Sequence, residues 1–289
     1  MDIGATKLAA GIVTFEGKLV AQARVPTPRG DGVDAEVLFD ALASLVSDIL
    51  DRHDDLTSCG VGCGGPMTPG GEEISPLNIP AWRGFPLRSR LEALTGLEVF
   101  VDNDAKALAL GEGWVGAARD RRDFMAMVVS TGVGGGIVLD GRLLDGRLGN
   151  AGHVGHVIVE PNGRSCRCGS QGCLEAEASG DAIAAMTGRA PAEATPEVIE
   201  RSGRLVGRAI ASVSNLLDLD LTVIAGSVAL GFGAPFFAAA SDELRQRSRL
   251  SYDAAAKVIP AGLGSSGPLV GAGAVAWRVL GAARTPRTR

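Results

Sequence analysis

The apolar residues of this chain alternate between two rhythms, one of period two and one of period 3.6, and the rhythm switches many times along its length. Residues 8–13 and 18–25 read as strands, and the stretch 26–32, with its proline and glycines, ends the second. From Asp34 onward Val37, Leu38, Ala41, Leu42, Leu45, Val46, Ile49 and Leu50 recur at helical spacing, which predicts an amphipathic helix packed on a sheet. His53, just past it, reads as a surface residue. Residues 58–66, Ser-Cys-Gly-Val-Gly-Cys-Gly-Gly-Pro, predict a buried strand running into a glycine turn, with Cys59 and Cys63 as small core residues.

The same reading predicts a loop over 77–86, a short helix over 87–95, a strand over 99–101 and a helix over 105–117. Strands follow at 124–130 and 137–139, then a long helix over 196–217 whose inner face carries Ile199, Leu205, Val206, Ala209, Ile210, Val213 and Leu217. A strand over 221–225, a helix over 234–247, a strand over 256–259 and a helix over 269–280 complete the pattern. The uncharged run 221–241 has the length of a membrane span, but Gly226, Gly231, Gly233 and Pro235 break it into a strand, a turn and a helix start.

Composition narrows the class. At 289 residues and 46% hydrophobic, the chain is long enough for two domains with sizeable cores. A net charge of −5, with no basic run before a short Arg-rich C-terminal tail that reads as solvated, argues against nucleic acid as a partner. Five cysteines without a signal peptide point to a reducing compartment, so the cytoplasm is expected and clustered thiols bind metal rather than form disulfides. The 41 glycines suit an enzyme with many close backbone approaches.

Chemistry concentrates at residues 150–175, where five of the eight Cys and His residues fall. His156, Cys166, Cys168 and Cys173 supply one imidazole and three thiols, the ligand set that tetrahedral structural Zn²⁺ prefers. Such a set is closed, so the ion acts as a clamp on a glycine-rich loop, and it fixes two flanking ionisable residues, His153 and Glu175. Two Gly/Thr segments, Gly4-Ala-Thr6-Lys7 and Thr131-Gly132-Val-Gly-Gly-Gly136, each lie between strands. Turns of this kind present N–H groups and a hydroxyl to phosphate, with Asp2 placed to hold Mg²⁺ through water; an ordinary hairpin is the competing reading of either alone. Their recurrence implies duplicated domains that face each other across a cleft. Asp102, Asn103 and Asp104 stand at the carboxyl end of a strand where α/β enzymes place chemistry, though Asp102 or Asn103 also suits a plain helix cap. Gly64 and Gly65 allow a ligand close to the backbone, and Gly226 ends a strand where a nucleotide or a helix entry would fit equally. Only Met1 precedes Asp2, so the first strand is expected to have its apolar lead-in upstream.

With these residues in view, the chain resembles the ROK family of repressors, open reading frames and sugar kinases, within the actin, Hsp70 and hexokinase fold. The resemblance covers essentially the full length. It rests on Asp2-Ile-Gly-Ala-Thr-Lys7, Asn103-Asp104-Ala105, Thr131-Gly-Val-Gly-Gly-Gly136, Gly155-His156 and Cys166-x-Cys168-Gly-x-x-Gly-Cys173-Leu-Glu175, which are jointly highly specific. It implies α/β architecture of duplicated ribonuclease-H-like domains with an interdomain cleft. The first domain would span 1–102, with helix 269–284 packing back on it, and the second 103–268, with the zinc loop 150–175.

The resemblance further implies an ATP-dependent kinase acting on the 6-hydroxyl of a hexose or N-acylhexosamine, with Mg²⁺ and structural Zn²⁺. Asp104 would be the base; Gly65, Asn78, Asn103, His153, His156 and Glu175 would contact sugar. Asp2, Gly4, Thr6, Lys7, Thr131, Gly132 and Gly226 would hold the nucleotide. A homodimer is the implied assembly, without nucleic-acid or membrane partners. Two departures stand out. Ala5 replaces a second glycine, which a tight turn bears if its φ is negative. His153 stands where many glucokinases of the family carry Glu; a His there is similar to bacterial N-acetylmannosamine kinases, so the hexose stays open between glucose and N-acetylmannosamine. A catalytically weak sugar-binding or regulatory protein is the alternative reading.

Overall fold

The structure is a computed structural model that describes residues 1–30, 32–251 and 255–284; the tail beyond Arg284 lies outside the described residues. The chain divides into two compact units. Among the described residues the first comprises 1–115, 145–151 and 265–284, and the second 116–144 and 152–264.

In the first unit the strands are β1 (Asp2–Ile3), β2 (Lys7–Val13), β3 (Leu19–Pro26), β4 (Cys59–Cys63) and β5 (Val99–Asn103), and the helices α1 (Ala35–Leu50), α2 (Leu87–Thr95) and α3 (Asp104–Val115). The sheet order is β3-β2-β1-β4-β5, antiparallel across β3, β2 and β1 and parallel across β1, β4 and β5. Asp34 caps α1 by accepting the Val37 N–H at 2.9 Å, and the apolar stripe read from the sequence buries Leu38, Leu42, Leu45, Val46 and Ile49, while Val37 stays exposed. Cys59 and Cys63 are buried in the core as small side chains.

The second unit holds β6 (Phe124–Val129), β7 (Val133–Leu139), β8 (Arg142–Leu143), α4 (Leu174–Ala178), α5 (Gly180–Thr187), α6 (Pro196–Leu217), β9 (Leu221–Ala225), α7 (Ser227–Phe232), α8 (Ala234–Arg247) and β10 (Lys257–Pro260). Its order, read from the hairpin side, is β8-β7-β6-β9-β10, with β8, β7 and β6 antiparallel and β6, β9 and β10 parallel. This repeats the first sheet strand for strand, as duplication requires. The final helix, α9 (Gly267–Arg284), returns to the first unit.

Three expectations shift. The division falls after Val115 rather than after Asp102, because α3 packs on α9 and β4 inside the first unit. Residues 145–151 also belong to that unit. The glycine run Gly134–136 lies within β7 instead of a turn, because its backbone must be approached closely. A Cβ on Gly135 would meet Val154 Cγ2 at 2.7 Å, and one on Gly152 would meet the Gly135 carbonyl at 2.3 Å. Among the described residues no helix is long and apolar enough to cross a membrane, and the run 221–241 resolves into β9, α7 and α8.

Candidate active site

Register sets the first cluster. Ile3 pairs with Cys63 and Cys63 with Asn103, so the carboxyl ends of β1, β4 and β5 lie side by side. The Gly4 turn, the Gly64–65 turn and the Asn103-Asp104 pair therefore emerge from one end of one sheet. Thr27 ties the first turn down, its hydroxyl donating to the Gly4 carbonyl at 2.7 Å and its N–H to the Thr6 carbonyl at 3.1 Å. Among the described residues Asp140 and Asp218 are the non-glycine residues at positive φ, so Ala5 sits in the turn without strain. Thr6 and Lys7 are exposed.

Asn103 Oδ1 accepts the Ala105 N–H at 3.0 Å, so Asn103 does cap α3, as the plainer reading of this segment held. Its Nδ2 lies 3.7 Å from where a Cβ on Gly65 would be, which places the amide beside that turn. The Gly65 carbonyl accepts the Leu77 N–H at 3.2 Å, bringing the turn that carries the exposed Asn78 to the same edge.

Asp104 is exposed at the first turn of α3, and its charge reaches inward. Burial, then the Asp104 charge, push the Asp2 carboxyl up to about 6 against the pull of Lys7. Burial and the same two carboxylates drive the Cys63 thiol well above its usual range. The Asp104 charge raises the buried Asp2 carboxyl, a repulsion that a hard divalent cation such as Mg²⁺ would relieve.

In the second unit the His153–Glu175 segment folds around its sulfur ligands. Cys166 Sγ lies 3.7 Å from His156 Nδ1, Cys168 Sγ lies 3.7 Å from Cys173 Sγ, and all four ligand atoms fall within 4.8 Å of one another. Bonds of roughly 2.0–2.3 Å in a tetrahedron separate ligands by roughly 3.3–3.8 Å, so the donor set fits Zn²⁺. Burial and the neighbouring thiols raise Cys173 and Cys166, while a backbone hydrogen bond from Ser170 lowers Cys168. The backbone of the loop is closely packed. Gly172 has φ +71, and a Cβ there would meet the Glu160 carbonyl at 1.7 Å. Glu177, 2% exposed, accepts the Arg164 N–H at 2.6 Å and Arg201 Nη2 at 2.5 Å.

This loop presents the predicted sugar contacts His153, His156 and Glu175. Glu175 Oε2 accepts the Val133 N–H at 3.0 Å, so α4 is fastened to β7 with one carboxylate oxygen committed. The exposed His153 precedes the turn Val154–His156, its ring 6.0 Å from that of His156. That turn lies flat on β7, since a Cβ on Gly155 would meet the Val133 carbonyl at 2.2 Å.

At the carboxyl ends of β6 and β9 the turn Ser130–Gly132 meets Gly226. The Ser130 and Thr131 carbonyls accept the Gly180 and Asp181 N–H groups at 2.7 and 3.2 Å, and the Ser130 and Ser227 hydroxyls are 2.9 Å apart. Gly226 has φ +104 and no room for a Cβ, which would lie 2.3 Å from the Val129 carbonyl, and its own carbonyl accepts the Leu230 N–H as α7 begins.

The sequence reading missed Asn150, Ser227 and Glu177. Asn150 had a signal, its place beside the metal loop; Glu177 had none, because an acidic residue in a short helix reads as solvated. A cavity of ≈ 370 Å³ in the first unit is lined by Ala10, Gly11, Cys59, Gly60, Trp114 and Trp277, at the opposite end of the sheet, and contains none of the predicted site residues.

Known proteins resemble this chain over most of its length. The model of the ROK family matches residues 1–279. An N-acetylmannosamine kinase of Yersinia pseudotuberculosis is 36% identical over 251 residues, covering 81% of this chain and 83% of that protein. The crystal structure of a ROK family glucokinase from Streptomyces griseus, in complex with glucose and AMPPNP, superposes with a TM-score of 0.82 at 31% identity, covering 94% of this chain and 96% of that one. A ROK family transcriptional regulator, a homolog of the Escherichia coli MLC protein, gives 0.80 at 25% identity over 95% of this chain and 76% of its own.

Proposed function

The chain belongs to the ROK family, and from that premise we propose that it transfers the γ-phosphoryl group of ATP to the 6-hydroxyl of a hexose or N-acylhexosamine, glucose or N-acetylmannosamine. The observation that carries the reading is Asp104, an exposed carboxylate opening a helix at the edge where Asn103 and the Gly65 turn converge. Phosphoryl transfer asks little covalent chemistry of a protein. It needs one carboxylate to line up the hydroxyl and accept its proton, and donors that stabilise charge on the phosphoryl oxygens.

In this reading Asp104 accepts the proton as the sugar oxygen attacks phosphorus. The Asn103 amide, with Asn78 and the Gly65 backbone, orients the sugar. His156 Nδ1, 3.7 Å from Cys166 Sγ, is the nitrogen that would face a metal, which would leave Nε2 to a sugar hydroxyl. Glu175 has one oxygen bound to Val133 and offers the other, while His153 supplies a single hydrogen bond. Gly4, Thr6 and Lys7 are candidate phosphate contacts, as are Thr131, Gly132 and Gly226 for phosphate and ribose. Mg²⁺, when bound, neutralises charge on the β- and γ-phosphates, and Asp2 is the residue that would hold it. His156, Cys166, Cys168 and Cys173 would hold Zn²⁺ as a four-ligand set, and the ion, when bound, would order the loop.

The test is Asp104→Asn, which keeps the shape and removes the proton acceptor. kcat should fall about 10²-fold or more with sugar affinity much less affected. Turnover near the wild-type rate would refute the assignment. Sugar binding without turnover in the wild type would instead favour a regulatory member of the family.

A further inference from the structure

Lys106 is 2% exposed on α3, two residues after Asp104, and the mechanism above does not use it. Its ammonium group has three donors and finds three acceptors: Asp102 Oδ1 at 3.0 Å, Asp145 Oδ1 at 2.7 Å and the Gly149 carbonyl at 3.1 Å. Arg278 of α9 closes the group, with Nη2 3.2 Å from Asp102 Oδ2 and Nη1 3.4 Å from Asp145 Oδ1. Two cations thus meet two carboxylates. Burial acts to raise the Asp145 carboxyl, but Lys106 and then Arg278 outweigh it and hold it below the usual carboxylate range.

A buried charge group of this kind seldom stabilises more than apolar side chains of equal volume would, so its value lies in the geometry it fixes. What it fixes lies on both sides of the sugar residues. Asp102 Oδ1 also accepts the Asn103 N–H at 2.8 Å, which sets the backbone that carries Asn103 and Asp104. Asp145 and Gly149 bracket the segment 145–151, closed on itself by the Ala151 N–H donating to the Asp145 carbonyl at 3.0 Å. Asn150, next to Gly149, then grips the Gly65–Met67 turn. Its Oδ1 accepts the Met67 N–H at 3.5 Å, its Nδ2 donates to the Met67 carbonyl at 3.3 Å, and Oδ1 is 3.9 Å from where a Cβ on Gly65 would be.

We propose that Lys106 is a positioning residue for sugar recognition: it locks the segment 145–151 onto α3 so that Asn150 holds the Gly65–Met67 turn in register with Asn103. The proposal rests on the sugar-kinase reading for its ligand, and on the contacts above for the clamp itself.

The experiment compares wild type with Lys106→Met, Asn150→Ala, the double variant and Asp145→Ala. The last alters a half-exposed side chain and so serves if Lys106→Met does not fold. Calorimetry gives Kd for glucose, N-acetylmannosamine and AMPPNP, and hydrogen exchange follows the Ala151 amide. Lys106→Met should weaken sugar binding about tenfold, the worth of one well-placed hydrogen bond, leave AMPPNP within about twofold, and speed Ala151 exchange. The double variant should bind sugar no more weakly than Asn150→Ala alone, since Lys106 acts through Asn150. Asp145→Ala should shift both readouts in the same direction. Sugar losses that multiply in the double variant, or sugar and AMPPNP affinities that fall together, would overturn the proposal. If the wild type binds neither sugar, the sugar reading fails by itself; unchanged Ala151 exchange in Lys106→Met would then overturn the clamp independently.

Discussion

Single residues decide both the chemistry and its conditions. Asp2 is held in an unfavourable state by burial and by Asp104, with its folded pKa raised from 3.8 to about 6. For an acid with a raised folded pKa, the fold is favoured while the group is protonated, and that advantage is lost as pH climbs from the unfolded to the folded value. A gap of about two units corresponds to roughly 3 kcal/mol, so Asp2→Asn should be more stable than wild type by about that amount at pH 7.5 and nearly equal to it at pH 4. Urea midpoints at the two pH values check this; a gap of the same size at both would contradict it. The variant should also lose Mg²⁺-dependent activity, the usual exchange of stability for function at such a site. His153 carries a different prediction. Glu there would present two acceptor oxygens to neighbouring hydroxyls where an imidazole makes one bond, so His153→Glu should move the kcat/KM ratio of glucose over N-acetylmannosamine upward by about ten- to a hundredfold. No movement toward glucose would leave the preference to the Gly65 turn or the Asn78 loop. Asn103 and Asp104 were legible in the sequence because polar residues at a strand end are conspicuous. Lys106 was not, because a lysine on a helix reads as solvated until its three acceptors are seen.

At the scale of elements, periodicity reads long segments well and short ones poorly. The bounds of α2, α6, β9 and α8 agree with the expected ones, since each carries a full apolar face or a clean buried run. Helices α4, α5 and α7 span five, eight and six residues, too few turns to print a period, and only the packing reveals them. The β7 glycines looked like a turn because their reason lies in another element, the Val154–His156 turn that rests on them. That dependence makes the sulfur loop a single unit. Cys168→Ser should lose bound zinc, and with it the sugar affinity that His153, His156 and Glu175 provide. Elemental analysis and calorimetry on the same sample check the linkage. Wild-type protein that binds sugar fully without any zinc would break it.

For the whole molecule, the two Gly/Thr hairpins signalled a duplicated architecture, and the sheets repeat one strand order. The boundary was less legible. The crossing of residues 145–151 into the first unit depends on Lys106, Arg278 and Asn150, partners far apart in sequence. Family membership and a site rich in convergent donors narrow the reaction to phosphoryl transfer onto a sugar, and the choice of sugar is the point on which His153 bears. The most direct test is ADP release by the purified protein with ATP and Mg²⁺ over glucose, mannose, N-acetylglucosamine and N-acetylmannosamine. The account predicts sugar-dependent turnover with glucose or N-acetylmannosamine, lowered about 10²-fold or more in Asp104→Asn. ADP release that no sugar in the panel stimulates would contradict it.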